Sequence, residues 1–232
     1  VTCLSISMIG AMLQCGILIR SSGQPNPGFA ILGMNMPMDE TGIAGMALNV
    51  RSSELHSVIT STQVTDALGN RIDPEVAMHQ MLDLLRDLRR RNGSLYLVGN
   101  GGSAAVASHS VTDFLNVGRL RAMTIHDSSL VTCMANDYGY ENAFARILST
   151  LAQPGDVLIA ISSSGRSLNI RNAAAKVREL GGAAVTLSGF ASDNSLRALG
   201  NLNIWLDARD YGMVEIGHQF VLHNIVDRLA QD

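Results

Sequence analysis

The sequence predicts an α/β protein: a three-layer α/β/α sandwich built on a mainly parallel, doubly wound sheet. Three observations carry this expectation. Short apolar runs bounded by glycine or proline recur along the chain ("SLYLV", "DVLIAI", "AAVTLS"), as strands buried on both faces require. Stretches with apolar residues at three- and four-residue spacing alternate with them. Two loops of small residues, "GNGGS" and "SSSGRS", each fall between a strand and the helix after it. That is where doubly wound sheets place their ligands.

The elements follow in order from Pro74. "PEVAMHQMLDLLRDLRRR" (74–91) has helical spacing, with Pro74 near the first helical position. Its basic end, "RDLRRRNG", reads as cations at a helix C-terminus closed by Gly93. Ser94 to Val98 is a buried strand, and "AAVASHSVTDFL" (104–115) is a helix. "RAMTIH" (121–126) is a strand candidate, and 128–152 is helical with a break near Asp137–Gly139. "DVLIAIS" (156–162), "AAVTLSG" (183–189) and "NLNIWLDA" (201–208) are further strands. Helices at 169–182 and from Val214 to Ala230 complete the pattern, with the 74–91 helix ahead of the first strand.

Residues 1–50 differ from the rest. They hold three charged residues (Arg20, Asp39, Glu40) and six of the eleven methionines. The uncharged run from Val1 to Ile19 lacks a basic region before it, and Gln14 ahead of Cys15 spoils a lipoprotein-type cleavage site. Gly10, Gln14 and Gly16 weaken a spanning helix. Residues 1–51 therefore read as an extension, poorly structured or owed to a start assigned too early, and 52–232 as the domain.

Composition narrows the function. A net charge of −3 gives no general attraction to nucleic acid or anionic lipid, and neither partner nor membrane is expected. Lys176, the one lysine, sits inside a helical pattern, which leaves Schiff-base chemistry poorly served. Cys3, Cys15 and Cys133 show no metal spacing and no disulfide framework, so a reducing cytoplasm fits.

A helix N-terminus offers unpaired N–H groups and partial positive charge. Serine hydroxyls add donors there without bulk, and a glycine such as Gly165 lets backbone approach a ligand. "SSSGRS" therefore reads as a phosphate cradle, and "GNGGS" as a second loop of the same kind. Neither is a dinucleotide fingerprint, and no nucleotide cofactor is expected. His109 and Asp113 share one helix face; Glu215 and His218 are neighbours on another helix, with His223 beyond. Two histidines with two carboxylates could ligate zinc or supply an acid and a base, or each could satisfy only a local hydrogen bond.

"GNGGSAAVASH", "ANDYGY", "PGDVLIAISSSGRSLNI" and "VEIGHQFVLH" together resemble the sugar isomerase (SIS) domain, most closely the bacterial phosphoheptose isomerases, over about Glu54 to the C-terminus. The resemblance implies an SIS fold and an aldose–ketose isomerase that converts sedoheptulose 7-phosphate to D-glycero-D-manno-heptose 7-phosphate. It also implies homotetramers with sites at subunit interfaces, and zinc. It places Asn100, Gly101, Ser103, Asp137, Ser162, Ser163, Ser164 and Ser167 at the phosphosugar. It gives Asp113, Glu215 and His223 catalytic roles, and His109, Asp113, Glu215 and His223 the metal.

Two departures from the family pattern matter. Asp113 stands where glutamate is usual, and Glu215 where glutamine is usual; the base is one of these two carboxylates, Asp113 ahead of Glu215 by its position in the motif. Arg166 replaces a common asparagine of the phosphate loop, and its guanidinium either binds phosphate or faces solvent. His218 has no assigned role. An isomerase of another phosphosugar, such as an octulose phosphate, and a non-catalytic sugar-phosphate-binding regulator remain as alternatives. Lyase or deaminase chemistry on an amino sugar phosphate fits the motif set less well.

Overall fold

Apolar runs with no polar face can only be strands between two helical layers, and the computed structural model, which describes residues 45–231, has that arrangement. Seven strands form one sheet in the order β2-β1-β7-β6-β5-β3-β4. They are β1 (Gln63–Asp66), β2 (Arg71–Ile72), β3 (Ser94–Val98), β4 (Arg121–Thr124), β5 (Val157–Ser162), β6 (Ala183–Ser188) and β7 (Leu202–Trp205). Pairing is parallel from β4 through β3, β5 and β6 to β7; β1 runs antiparallel to both β7 and β2. The helices are α1 (Leu48–Thr60), α2 (Pro74–Arg90), α3 (Gly102–Asn116), α4 (Ser128–Tyr138), α5 (Ala143–Leu151), α6 (Leu168–Glu179) and α7 (Tyr211–Leu229).

Two-residue periodicity sorts the strand side chains into two cores. Leu95, Leu97, Val157, Ile159, Ile161, Val185, Leu187 and Ile204 point to one face, where they pack with α2, α3 and α7. Tyr96, Val98, Leu158, Ala160 and Ala184 point to the other, against α5 and α6. The central strands β3 and β5 are buried at every position, as their unbroken apolar runs require.

The expected elements from Pro74 onward are present, with ends that agree to within three residues. The predicted break between the two middle helices falls at Gly139, which has φ +81° and a short 3-10 turn after it (Tyr140–Asn142). α7 begins three residues before Val214, because Asp210 caps it through Met213 N–H at 2.9 Å. One feature was not expected, and one N-terminal helix of the domain starts ahead of the expected boundary at residue 52. The β1–β2 hairpin precedes α2, so the 74–91 helix is not ahead of every strand. Helix α1 packs on α7 and begins at Leu48. The apolar run from Val1 to Ile19, with Cys3 and Cys15, lies outside the described residues. Among the described residues no helix is long and apolar enough to cross a membrane.

Candidate active site

The strand order reverses between β3 and β5. From β3 the chain adds β4 on one side, then crosses to place β5 and β6 on the other. Val98 of β3 lies opposite Ala160 of β5, so the loops leaving both strands emerge side by side at the carboxyl edge. These are the two loops rich in small residues, and each feeds a helix N-terminus, of α3 and of α6.

Between them opens a cleft of about 390 Å³. Asn100, Gly101 and Ser103 line it from the glycine loop, and Ser162, Ser163, Ser164 and Ser167 from the serine loop. Ser162 Oγ donates to Ser167 Oγ at 3.3 Å, and Arg166 N–H donates to Ser164 Oγ at 3.3 Å. Ser163 Oγ is buried and has no hydrogen-bond partner among the described residues. The loop can turn this sharply because Gly165 has φ +62°; a Cβ there would lie 1.8 Å from Asn194 Oδ1. Arg166 itself is exposed and does not line the cleft.

The structure brings Glu215 to the same cleft. Its carboxylate lies over the first residue of α3, so close that a Cβ on Gly102 would fall 2.2 Å from Glu215 Oε2. Glycine at 102 therefore makes room for an acid at a helix N-terminus, where negative charge is favoured. Burial raises the pKa of Glu215 above the usual carboxylate value. Tyr211, one turn before Glu215 on α7, completes this wall and stacks edge-on against Phe190 with ring centroids 4.8 Å apart.

His109, Asp113 and His223 form a second group where α3 packs on α7, with one ligand atom from each within 4.8 Å of the others. His109 Nε2 is 3.2 Å from His223 Nε2. Asp113 Oδ2, buried and without a hydrogen bond among the described residues, lies 3.3 Å from His223 Nδ1 and 3.6 Å from His109 Nε2. Two imidazoles and a carboxylate of this spacing are a donor set for a borderline divalent ion. Glu215, expected as a fourth ligand, stands apart. It precedes His223 by eight residues on one helix, a rise of about 12 Å, and its carboxylate is turned to Gly102.

One expected residue, and the histidine left without a role, fall elsewhere. Asp137, at the exposed end of α4, receives hydrogen bonds from Asn136 and Cys133 and does not line the cleft. His218 is fully buried, and its Nε2 donates to the backbone oxygen of Ser188 at 3.1 Å. Burial lowers its pKa to about 4, so this histidine is a neutral tie between α7 and β6. Sequence reasoning missed His126, whose Nε2 accepts the Gly99 N–H at 3.2 Å and anchors the glycine loop from below. No local pattern marks it, since its partner is 27 residues away.

The SIS domain family matches residues 64–189 of this chain. Phosphoheptose isomerase from Geotalea daltonii is 35% identical over 188 residues, covering 77% of this chain and 95% of its own. The chain belongs to the phosphoheptose isomerase family of SIS-domain proteins. A second member, from Mycobacterium tuberculosis, is 36% identical over 185 residues, covering 77% of this chain and 93% of its own. The structure of a phosphoheptose isomerase from Francisella tularensis superposes with a TM-score of 0.70 at 21% identity, over 84% of this chain and 100% of that one. The family's fold is thus the α/β/α sandwich found here, with the glycine and serine loops inside the matched region and α7 beyond it.

Proposed function

We propose that the protein is an aldose–ketose isomerase that interconverts sedoheptulose 7-phosphate and D-glycero-D-manno-heptose 7-phosphate through an enediol. The observation that carries this reading is one cleft holding both a cradle of hydroxyls and helix N-termini for a phosphate and a carboxylate of raised pKa. Names of relatives at 32–36% identity support the substrate.

The phosphate rests on the serine loop and the N-termini of α3 and α6, where N–H groups and hydroxyls converge. Isomerisation removes a proton from the carbon next to the carbonyl and returns it to the former carbonyl carbon, while a second proton passes between the two oxygens. Glu215 is the base for the carbon proton: it faces the cleft, and its raised pKa brings proton affinity closer to that of a carbon acid at its transition state. His223 and Asp113 serve the oxygen end, where an imidazole can give and take the hydroxyl proton.

The fit of His109, Asp113 and His223 to a divalent ion rests on their donor types and on the unbonded Asp113 Oδ2. His109, Asp113 and His223 would hold the ion, and zinc there would supply Lewis-acid polarisation of a substrate oxygen. A homotetramer belongs to this reading by family resemblance; Ile216 and Phe220, exposed one turn apart on α7, support an assembly that covers them. A cytoplasmic location suits a phosphorylated substrate.

The test is an NMR assay with sedoheptulose 7-phosphate in deuterated water. Parent protein should exchange the proton at the reacting carbons and form the aldose; Glu215→Gln and His223→Ala should each lower kcat about 10²–10⁴-fold. A parent that binds the sugar phosphate but exchanges no proton would sink the isomerase reading in favour of a binding protein.

A further inference from the structure

The glycine loop and the serine loop belong to different βα units, yet a phosphate site requires them at fixed separation. One side-chain pair bridges them. Asn100 Nδ2 donates to Asn169 Oδ1 at 2.9 Å, and Asn169 Nδ2 donates back to Asn100 Oδ1 at 2.9 Å. Asn169 is the second residue of α6 and only 3% exposed. Tyr140, in the 3-10 turn behind Gly139, adds a third bond by donating its hydroxyl to Asn100 Oδ1 at 2.8 Å. Asn172, further along α6, holds that turn through the backbone oxygen of Glu141 at 2.8 Å.

The orientation of both amides follows from one backbone group. Ile170 N–H donates to Asn169 Oδ1 at 3.0 Å, and an N–H can only donate. This fixes which end of the Asn169 amide is oxygen. The reciprocal pair then fixes the Asn100 amide, with its oxygen occupied by Asn169 and Tyr140. What Asn100 retains for the cleft is one N–H.

We propose that Asn169 is a positioning residue that acts through Asn100: it holds the glycine loop to the serine loop and leaves Asn100 a hydrogen-bond donor, never an acceptor, to face an anionic ligand. The inference rests on the reading of the cleft as a sugar-phosphate site. With Asn169 truncated, the Tyr140 hydroxyl alone holds the Asn100 amide, and a turn that brings its oxygen toward the phosphate, where two acceptors repel, becomes easier.

A double-mutant cycle tests this, read by calorimetric binding of inorganic phosphate and by KM and kcat for sedoheptulose 7-phosphate, with circular dichroism to check folding. Asn169→Ala should weaken phosphate binding and raise KM about tenfold. Its kcat should stay within about threefold of the parent, the split expected for lost ground-state positioning. Asn100→Ala, which removes the donor itself, should weaken phosphate binding at least as much, and the double variant should match Asn100→Ala, because Asn169 has nothing left to hold. Should Asn169→Ala fold poorly, Asn169→Ser keeps a polar group at the buried position and takes its place in the cycle. Unchanged phosphate binding in the Asn169 variant, or two single effects that multiply, would overturn the positioning role and leave the proposed function standing. A parent that neither binds phosphate nor turns over the sugar phosphate would overturn both.

Discussion

His218 shows how a residue with chemical potential can be spent on structure. Its burial without a charged partner lowers its pKa, and the hydrogen bond to the Ser188 oxygen only partly opposes that. In the unfolded chain it titrates near 6.5, in the folded protein near 4. Above the first value both states are neutral and the residue adds no pH dependence. As pH falls between the two, the unfolded chain takes up a proton that the native site refuses, so stability is lost. The loss from this residue approaches ~3 kcal/mol near pH 4. Urea melts from about pH 7 down to about pH 4.5 should show that slope in the parent, and a shallower one in His218→Gln, whose amide can still donate to Ser188. Equal slopes in the two proteins would assign the acid sensitivity to other groups. The sequence marked His218 as chemically notable; that it faces the sheet and not the cleft depends on how α7 is rotated.

Among the elements, the serine loop is the most constrained, and Gly165 is the constraint. Its φ of +62° favours glycine, and an added methyl would meet Asn194. Asn194 is itself buried, donating to Ser188 Oγ at 3.1 Å and to the backbone oxygens of Gly189 and Ala191 at 3.2 and 2.9 Å. Gly165→Ala should therefore cost about 2–3 kcal/mol in denaturant melts, through strain and lost bonds of Asn194, and should weaken phosphate binding as well. A variant with parental stability and affinity would show that the loop relaxes freely. The loops themselves were legible because strand, glycine or serine cluster, and helix follow one another within about ten residues. Asn169 and Tyr140 were not, since each meets Asn100 across 69 and 40 residues of chain. The β1–β2 hairpin escaped for another reason: it is short, half polar and at the sheet edge, where no continuous apolar run is needed.

At the scale of the whole molecule, α3 and α7 are the two helices that carry both groups of side chains. Each begins at the cleft, where Ser103 and Glu215 sit, and each carries a histidine of the second cluster further along. From Ser103 to His109 is six residues, a rise of about 9 Å, so the cluster lies beyond the cleft along the helix pair. An ion held by His109, Asp113 and His223 would tie two helices whose contacts build the larger core. Binding to the folded state alone must then raise stability, by about 4 kcal/mol at a free zinc concentration a thousand times the dissociation constant. Thermal melts of protein treated with a chelator and then titrated with zinc should show this rise. His109→Ala and Asp113→Asn should abolish it while leaving phosphate binding at the serine loop intact. Glu215→Gln should keep the zinc response, because the carboxylate at 215 lies against Gly102 and outside the cluster. Loss of the response in that variant would instead mean that α7 brings Glu215 to the ion as a fourth ligand when metal is bound.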